Sequence, residues 1–261
     1  MPMPFNDVGN NVLGVALTLP RILAAFMALP LLSSSDMPPL VRNSFFVSLS
    51  IVVFPLAAAA SPYSAMGAGV WPFVIIKELF VGLAIGFSFG VLFWAIGNAG
   101  NLIDAKVGTT MSSVIDPLAG HQTSLMGLFL SQFAAYLFMA SGAFIVFLRL
   151  LLESYKLWPV ASYMPLIKPA GEMFFIDQFS YLMTAALLLS APALVVMSLI
   201  DIGFGLVNRY AQQLNVFQLA MPIKAWVAIW IVLLMLSVFV QTVLQRLFHN
   251  AELLNALKTI F

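Results

Sequence analysis

"ELFVGLAIGFSFGVLFWAIGNAGNLIDAKVG", Glu78 to Gly108, is the stretch on which the fold turns. It carries no charge from Leu79 to Ile103, and about 20 apolar residues suffice for a helix to cross about 30 Å of hydrocarbon. The run lacks the apolar–polar alternation of a barrel strand, so it is helical. Gly82, Gly86 and Gly90 stand four apart on one helix face, where a second backbone can come close. That face serves either the chain's own bundle or docking onto another subunit, and the spacing fits both. Further on, Asn98, Asn101, Asp104 and Gly108 recur at steps of three and four. A polar stripe on an apolar helix implies water, a pore or a partner alongside it.

The composition agrees with a membrane location. Hydrophobic residues make up 62% of the chain and charged residues 8%, against about 25% charged in an average soluble domain. That leaves too little polar surface to cover a water-soluble globule, so the class is all-α polytopic membrane protein. A net charge of +1 gives no support for nucleic-acid binding. The absence of cysteine removes disulfides, thiolate nucleophiles and cysteine metal sites. The two histidines, His121 and His249, are far apart and suit no metal site. At the N-terminus the first charge is Asp7 and Pro20-Arg21 interrupts the apolar run, which favours a retained first helix over a cleaved signal.

Six stretches qualify or nearly qualify as spans: 12–32, 44–60, 79–103, 124–148, 179–200 and 225–245. Between the second and third, "GVWPFVII" is fenced by Pro62 and Pro72 and suits half of a broken helix or a re-entrant piece. Six basic residues against four on the two sides of such a topology leave its orientation open. The connector 149–177 places Tyr155, Trp158 and Tyr163 beside Pro159, Pro165 and Pro169. This predicts a non-helical interfacial segment with aromatic anchors. No internal repeat or linker is visible, which predicts one domain over residues 1–261. From Arg246 the tail is amphipathic, with Leu247, Ala251, Leu254, Leu257 and Phe261 at helical spacing opposite Asn250, Glu252 and Lys258.

Two polar stretches are candidates for function. "GTTMSSVIDPLAGHQTS", Gly108 to Ser124, is small and hydroxyl-rich, and Asp116-Pro117 discourages helix. It is either a solvated turn or a mobile plug that packs in a pore and can leave it. "GLVNRYAQQLNVFQLAMPIK", Gly205 to Lys224, spends amides and two cations between apolar runs. If the helix continues through it, Asp201, Asn208, Gln212 and Asn215 share one stripe and should meet protein. Otherwise it is a turn in water, with Arg209 and Lys224 at the headgroups. No catalytic elbow, metalloprotease helix or phosphate loop is present, so neither enzyme chemistry nor a cofactor is implied.

"NRYAQQLNVFQLAMPIKA" together with "GNLIDAKVGTTMSSVIDPLAGHQTS" resembles the T-type export-gate subunits of bacterial type III secretion. This family includes flagellar FliR and the injectisome proteins SctT, YscT, SpaR and HrcT. "LPRILAAFMALPLL", "RNSFFVSLSIVVFP" and "SYKLWPVASYMP" fit the same family in the same order, and "LNVFQLAMPIK" leans toward the injectisome branch. The resemblance covers nearly the whole chain except its last fifteen or so residues.

The resemblance implies a non-enzymatic component of the bacterial inner membrane, built into a helical hetero-oligomeric gate with R-type and S-type subunits. A U-type switch protein wraps the entrance and unfolded substrates pass through. In that family much of the assembly sits above the bilayer. The resemblance further implies a pore plug at Gly108, Thr109, Thr110, Met111, Ser112, Ser113, Asp116 and Pro117, rooted beside Asp104 and Lys106. It gives the amides of 208–215 to subunit contacts or the pore lining. With the glycine face and the flanking charges, the candidate subunit contacts are Gly82, Gly86, Gly90, Asp201, Asn208, Arg209, Gln212, Asn215 and Lys224. Where the family commonly places proline after "NR-aromatic-Ala", this chain has Gln212, which favours an unkinked helix. The alternative is a secondary transporter for a small solute or ion, using Asp104 and Asp201 as relay acids. An inverted repeat would favour it, and none is visible.

Overall fold

The structure is a computed structural model and describes residues 4–30, 38–58, 70–108, 124–162, 169–211, 213 and 216–251. Among them it is helical, in the order α1 (Pro4–Met27), α2 (Pro39–Ala58), α3 (Trp71–Val107), α4 (Leu125–Ala140), α5 (Ala143–Leu157), α6 (Pro169–Tyr210) and α7 (Val216–Ala251). Four helices are long and apolar enough to cross a membrane, or five if α4 and α5 together count as one bent span.

Two of the six predicted spans, and the short piece between the second and third, therefore need revision. The apolar part of α1, Val12–Met27, falls short of a span. The expected broken piece "GVWPFVII" is not separate, since Trp71 opens α3 and the helix runs unbroken to Val107. Pro72 is harmless there, because the first turn of a helix has no internal partner for its N–H. The span expected at 124–148 is instead bent by 72° between α4 and α5. Gly142, at φ 76°, supplies the left-handed backbone that this corner requires.

The chain forms two compact units although its sequence shows no linker. The first comprises residues 1–90, 142–177 and 247–261, and the second 91–141 and 178–246. Helices α3 and α6 each pass from one unit to the other without a break, so no composition shift marks the boundary.

In the first unit, α2 packs on α1 and α5. The ring of Phe26 meets those of Phe46 and Phe147 at 5.3 and 5.2 Å, and Phe89 brings α3 onto Phe147 at 5.3 Å. Gly82 and Gly86 let α1 and α3 touch backbone to backbone. A Cβ added at either glycine would lie 2.2 Å from the carbonyl oxygen of Arg21 or Ala25. In the second unit, Phe93 meets Phe138 at 5.3 Å, and Gly100 lies against Gly127 where α3 crosses the start of α4. Helix α3 is the inner helix, with 72% of its span buried against 17–33% for the other three.

Candidate functional site

The site is built around the end of α3. Gly108 takes φ 98°, a left-handed C-terminal stop that glycine adopts readily, and its N–H still reaches the carbonyl of Asp104 at 3.1 Å. Here the chain leaves the helix toward the hydroxyl-rich segment. It returns at Ser124, the N-cap of α4, whose Oγ accepts from the N–H of Gly127 at 2.8 Å. Asp104 joins exit and return. Its Oδ2 accepts from the Ser124 hydroxyl at 2.7 Å and from the Met126 N–H at 2.9 Å. A carboxylate at a helix N-terminus is favoured by both its free N–H groups and its dipole.

A second fastening involves three helices. Asp201 on α6 is gripped by Lys106 from the last turn of α3 (3.0 Å, Oδ2) and by Lys224 from α7 (2.9 Å, Oδ1). Lys224 also donates to the carbonyl of Lys106 at 3.2 Å, satisfying one of the acceptors that a helix C-terminus leaves open. One turn before Lys224, the side chain of Met221 lies over Gly108. The Lys224 side chain is nearly buried, whereas Lys106 and Asp201 keep about a third of their surface. The buried contact of Lys224 thus dominates, since exposed pairs are worth only about 0–1 kcal/mol.

These contacts place the predicted residues in new company. Asp104 holds the start of α4, and Asp201 meets two lysines. Lys106 joins the group assigned to Asp201 and Lys224. Gly82 and Gly86 take the intrachain alternative against α1, and Gly90 is buried. Asn101 donates to Asn98 at 3.4 Å, and its Oδ1 lies against Gly127. Thr109, Thr110, Met111, Ser112, Ser113, Asp116 and Pro117 lie outside the described residues, as do Gln212, Asn215 and the tail beyond Ala251.

The continuous stripe expected from Asp201 to Asn215 is not formed. Helix α6 ends at Tyr210 even without a proline at 212. For Lys224 to reach Asp201 the chain must reverse between α6 and α7, which one straight helix cannot do. The last turns of α6 are bare, with every residue exposed from Gly205 to Tyr210, including Asn208 and Arg209. A Cβ at Gly203 or Gly205 would meet nothing within 4 Å among the described residues.

Sequence reasoning missed a buried ionic cluster in the first unit. Arg21 forks onto Glu78 at 2.7 and 2.8 Å, and donates to the Ser154 hydroxyl at 3.0 Å and the Trp158 carbonyl at 2.8 Å. Its guanidinium lies 4.1 Å above the ring of Tyr155, whose hydroxyl donates to the Thr18 carbonyl at 2.7 Å. Lys77 pairs with Glu78 at 3.0 Å and donates to the carbonyls of Pro159, Val160 and Ser162. The connector is helical at both ends, since α5 runs through Leu157 and α6 starts at Pro169, and Tyr155 is a core residue rather than an interfacial anchor; Tyr163 and Pro165 lie outside the described residues. A lone arginine inside one apolar helix and a Lys-Glu pair inside another were the available signal. Because Lys77 is buried in α3, it also says nothing about topology by the charge rule.

Residues 12–251 match the family described as bacterial export proteins, family 1. The Yop proteins translocation protein T of Yersinia pestis is 40% identical over 222 residues, covering 85% of each chain. The secretion system apparatus protein SsaT of Salmonella typhimurium is 33% identical over 84% of this chain and 85% of its own. The flagellar biosynthetic protein FliR of Bacillus subtilis is 28% identical over 84% of each.

Proposed function

We propose, from the premise that this chain belongs to the bacterial export proteins, family 1, that it forms part of the gate through which unfolded proteins enter the type III secretion pathway at the inner membrane. It is a structural component of the export apparatus and a multi-pass inner-membrane protein, closer to the injectisome relatives than to the flagellar ones. It assembles with other export-apparatus proteins. Within that setting its neighbours are the R-type and S-type subunits, with the U-type switch protein at the entrance, and the segment Gly108–Pro117 is the resting plug.

The observation that carries the plug reading is the fastening at its root. Asp104 holds the exit from α3 beside the start of α4, so the intervening segment leaves and returns at one place. Lys106, Asp201 and Lys224 brace the same level across three helices. A segment so anchored can move while its frame stays folded. Its residues are small, and hydroxyls of this kind can bond locally to backbone, which suits a narrow pore. The closed state need be favoured by only a few kcal/mol, so that a substrate can overturn it.

Assembly into a larger complex is supported by helix length. At about 1.5 Å per residue, α3, α6 and α7 run about 56, 63 and 54 Å, roughly twice the hydrocarbon thickness. Tilts of membrane helices rarely exceed about 40°, which is too little to absorb that excess. Part of each helix therefore needs protein rather than lipid around it, and the bare end of α6 is one such part.

The test is conductance or small-solute uptake of cells that carry the assembled apparatus with residues 109–115 removed and no substrate present. Assembly should survive and leakage should rise. An assembled complex no leakier than the wild type would reduce the segment to a connector.

A further inference from the structure

Helices α6 and α7 are pinned to each other twice. At one end Lys224 grips Asp201. At the other, Arg246 donates to the side-chain carbonyl of Gln178 and lies 4.0 Å above the ring of Tyr181. The two pins pair a late residue of one helix with an early residue of the other, so the hairpin is antiparallel. Gln178 to Asp201 spans about 34 Å of helix and Lys224 to Arg246 about 33 Å. Both lengths match the hydrocarbon thickness of about 30 Å with a small tilt. No charged residue lies between the pins on either helix.

The outer faces between the pins are apolar and bare. Leu188, Val195 and Leu199 on α6 are 68%, 59% and 61% exposed, and Trp226, Trp230 and Leu234 on α7 are 70%, 65% and 73% exposed. Each rim carries cations. Lys106 and Lys224 meet Asp201 at the first rim, and Arg246 contacts Gln178 and Tyr181 at the second. Cations at both edges of an apolar band complement the phosphates of two bilayer leaflets, and Trp226 and Trp230 lie close to the first rim, where aromatic belts form.

We propose that this face of the α6–α7 hairpin is a lipid-contacting surface, occupied by phospholipid acyl chains, with Lys106 and Lys224 at the headgroup level of one leaflet and Arg246 at that of the other. The band ends at Asp201. The rest of α6 rises about 13 Å beyond it to Tyr210, and the start of α7 before Lys224 stands beside it, both outside the hydrocarbon. One continuous helix is thus divided between two environments, lipid before Asp201 and protein or water after it.

A photo-crosslinking amino acid placed singly at Leu188, Leu234, Leu206 or Leu219 of the full chain, in its native membrane and assembled apparatus, tests this with isotope-labelled phospholipid. Leu188→photoprobe and Leu234→photoprobe should yield phospholipid adducts, and the same change at Leu206 or Leu219 should not. Protein adducts at 188 and 234 in place of lipid would overturn the proposal, as would acyl-chain adducts at 206 or 219. The unmodified protein gives a second measurement, independent of any substitution. Its thermal stability in phosphatidylcholine bilayers of graded acyl length should peak near a hydrophobic thickness of about 30 Å. A flat response would refute the match between the pins and the bilayer.

Discussion

The buried cluster of Arg21, Lys77 and Glu78 makes an asymmetric prediction, because two cations share one carboxylate. Arg21→Met leaves Lys77 and Glu78 as a neutral pair. Ser154 stays satisfied, since its hydroxyl donates to the Leu151 carbonyl at 2.6 Å. What is lost is the fork onto Glu78, whose Oε1 keeps Lys77 as partner, together with the donor to the Trp158 carbonyl, about 1–3 kcal/mol, and the contact with the Tyr155 ring, about 1 kcal/mol. Removing the desolvated guanidinium offsets part of this, leaving a net destabilisation of about 2 kcal/mol. Glu78→Gln instead leaves two buried cations side by side without a counter-charge, and breaking a buried pair in that way costs about 3–5 kcal/mol. The difference of about 2 kcal/mol corresponds to a roughly thirtyfold change in the folding equilibrium. Reversible denaturant titration of the purified full chain in detergent should give this order. The double variant should be less destabilised than the sum of the singles, because it removes one cation together with the carboxylate. Equal losses for the two singles, or strictly additive energies, would refute an electrostatic role for the cluster and leave only side-chain volume.

Two further outcomes rest on backbone geometry and on the lysine fastening. Gly82→Ala and Gly86→Ala drive a methyl into the backbone of α1, so overpacking of about 1–3 kcal/mol outweighs the gain of up to about 1 kcal/mol in helix propensity. Gly203→Ala and Gly205→Ala meet no atom of the described residues and should raise the melting temperature of the isolated protein; co-purification of the apparatus with these two variants then reports whether a partner covers them, intact assembly counting against a close contact there. Asp201→Asn takes the carboxylate charge from the nearly buried ammonium of Lys224, which keeps its bond to the Lys106 carbonyl, and should cost about 1–3 kcal/mol, whereas Lys106→Met removes only a half-exposed partner and should cost under about 1 kcal/mol. Melting curves of the two variants check the order, and the reverse order would mean that Lys106, not Lys224, carries the contact.

The sequence by itself determined the class, the helical character and most of the span positions, because each depends on local composition. A long apolar run must satisfy its own backbone, and only a helix does so within one segment. It also singled out Asp104, Lys106, Asp201 and Lys224 as places where polar groups interrupt that pattern. What it could not show was which polar group meets which. Arg21 and Glu78 are 57 positions apart, and Lys106 and Lys224 are 118 apart. No periodicity spans such distances; only the return path of the chain brings them together. The same holds for the glycine face, where spacing permits a close approach but cannot name the neighbour until α1 lies against it. The end of α6 at Tyr210 is likewise a tertiary outcome. Propensity allowed the helix to continue through Gln212, and the pairing of Lys224 with Asp201 required the chain to turn back instead.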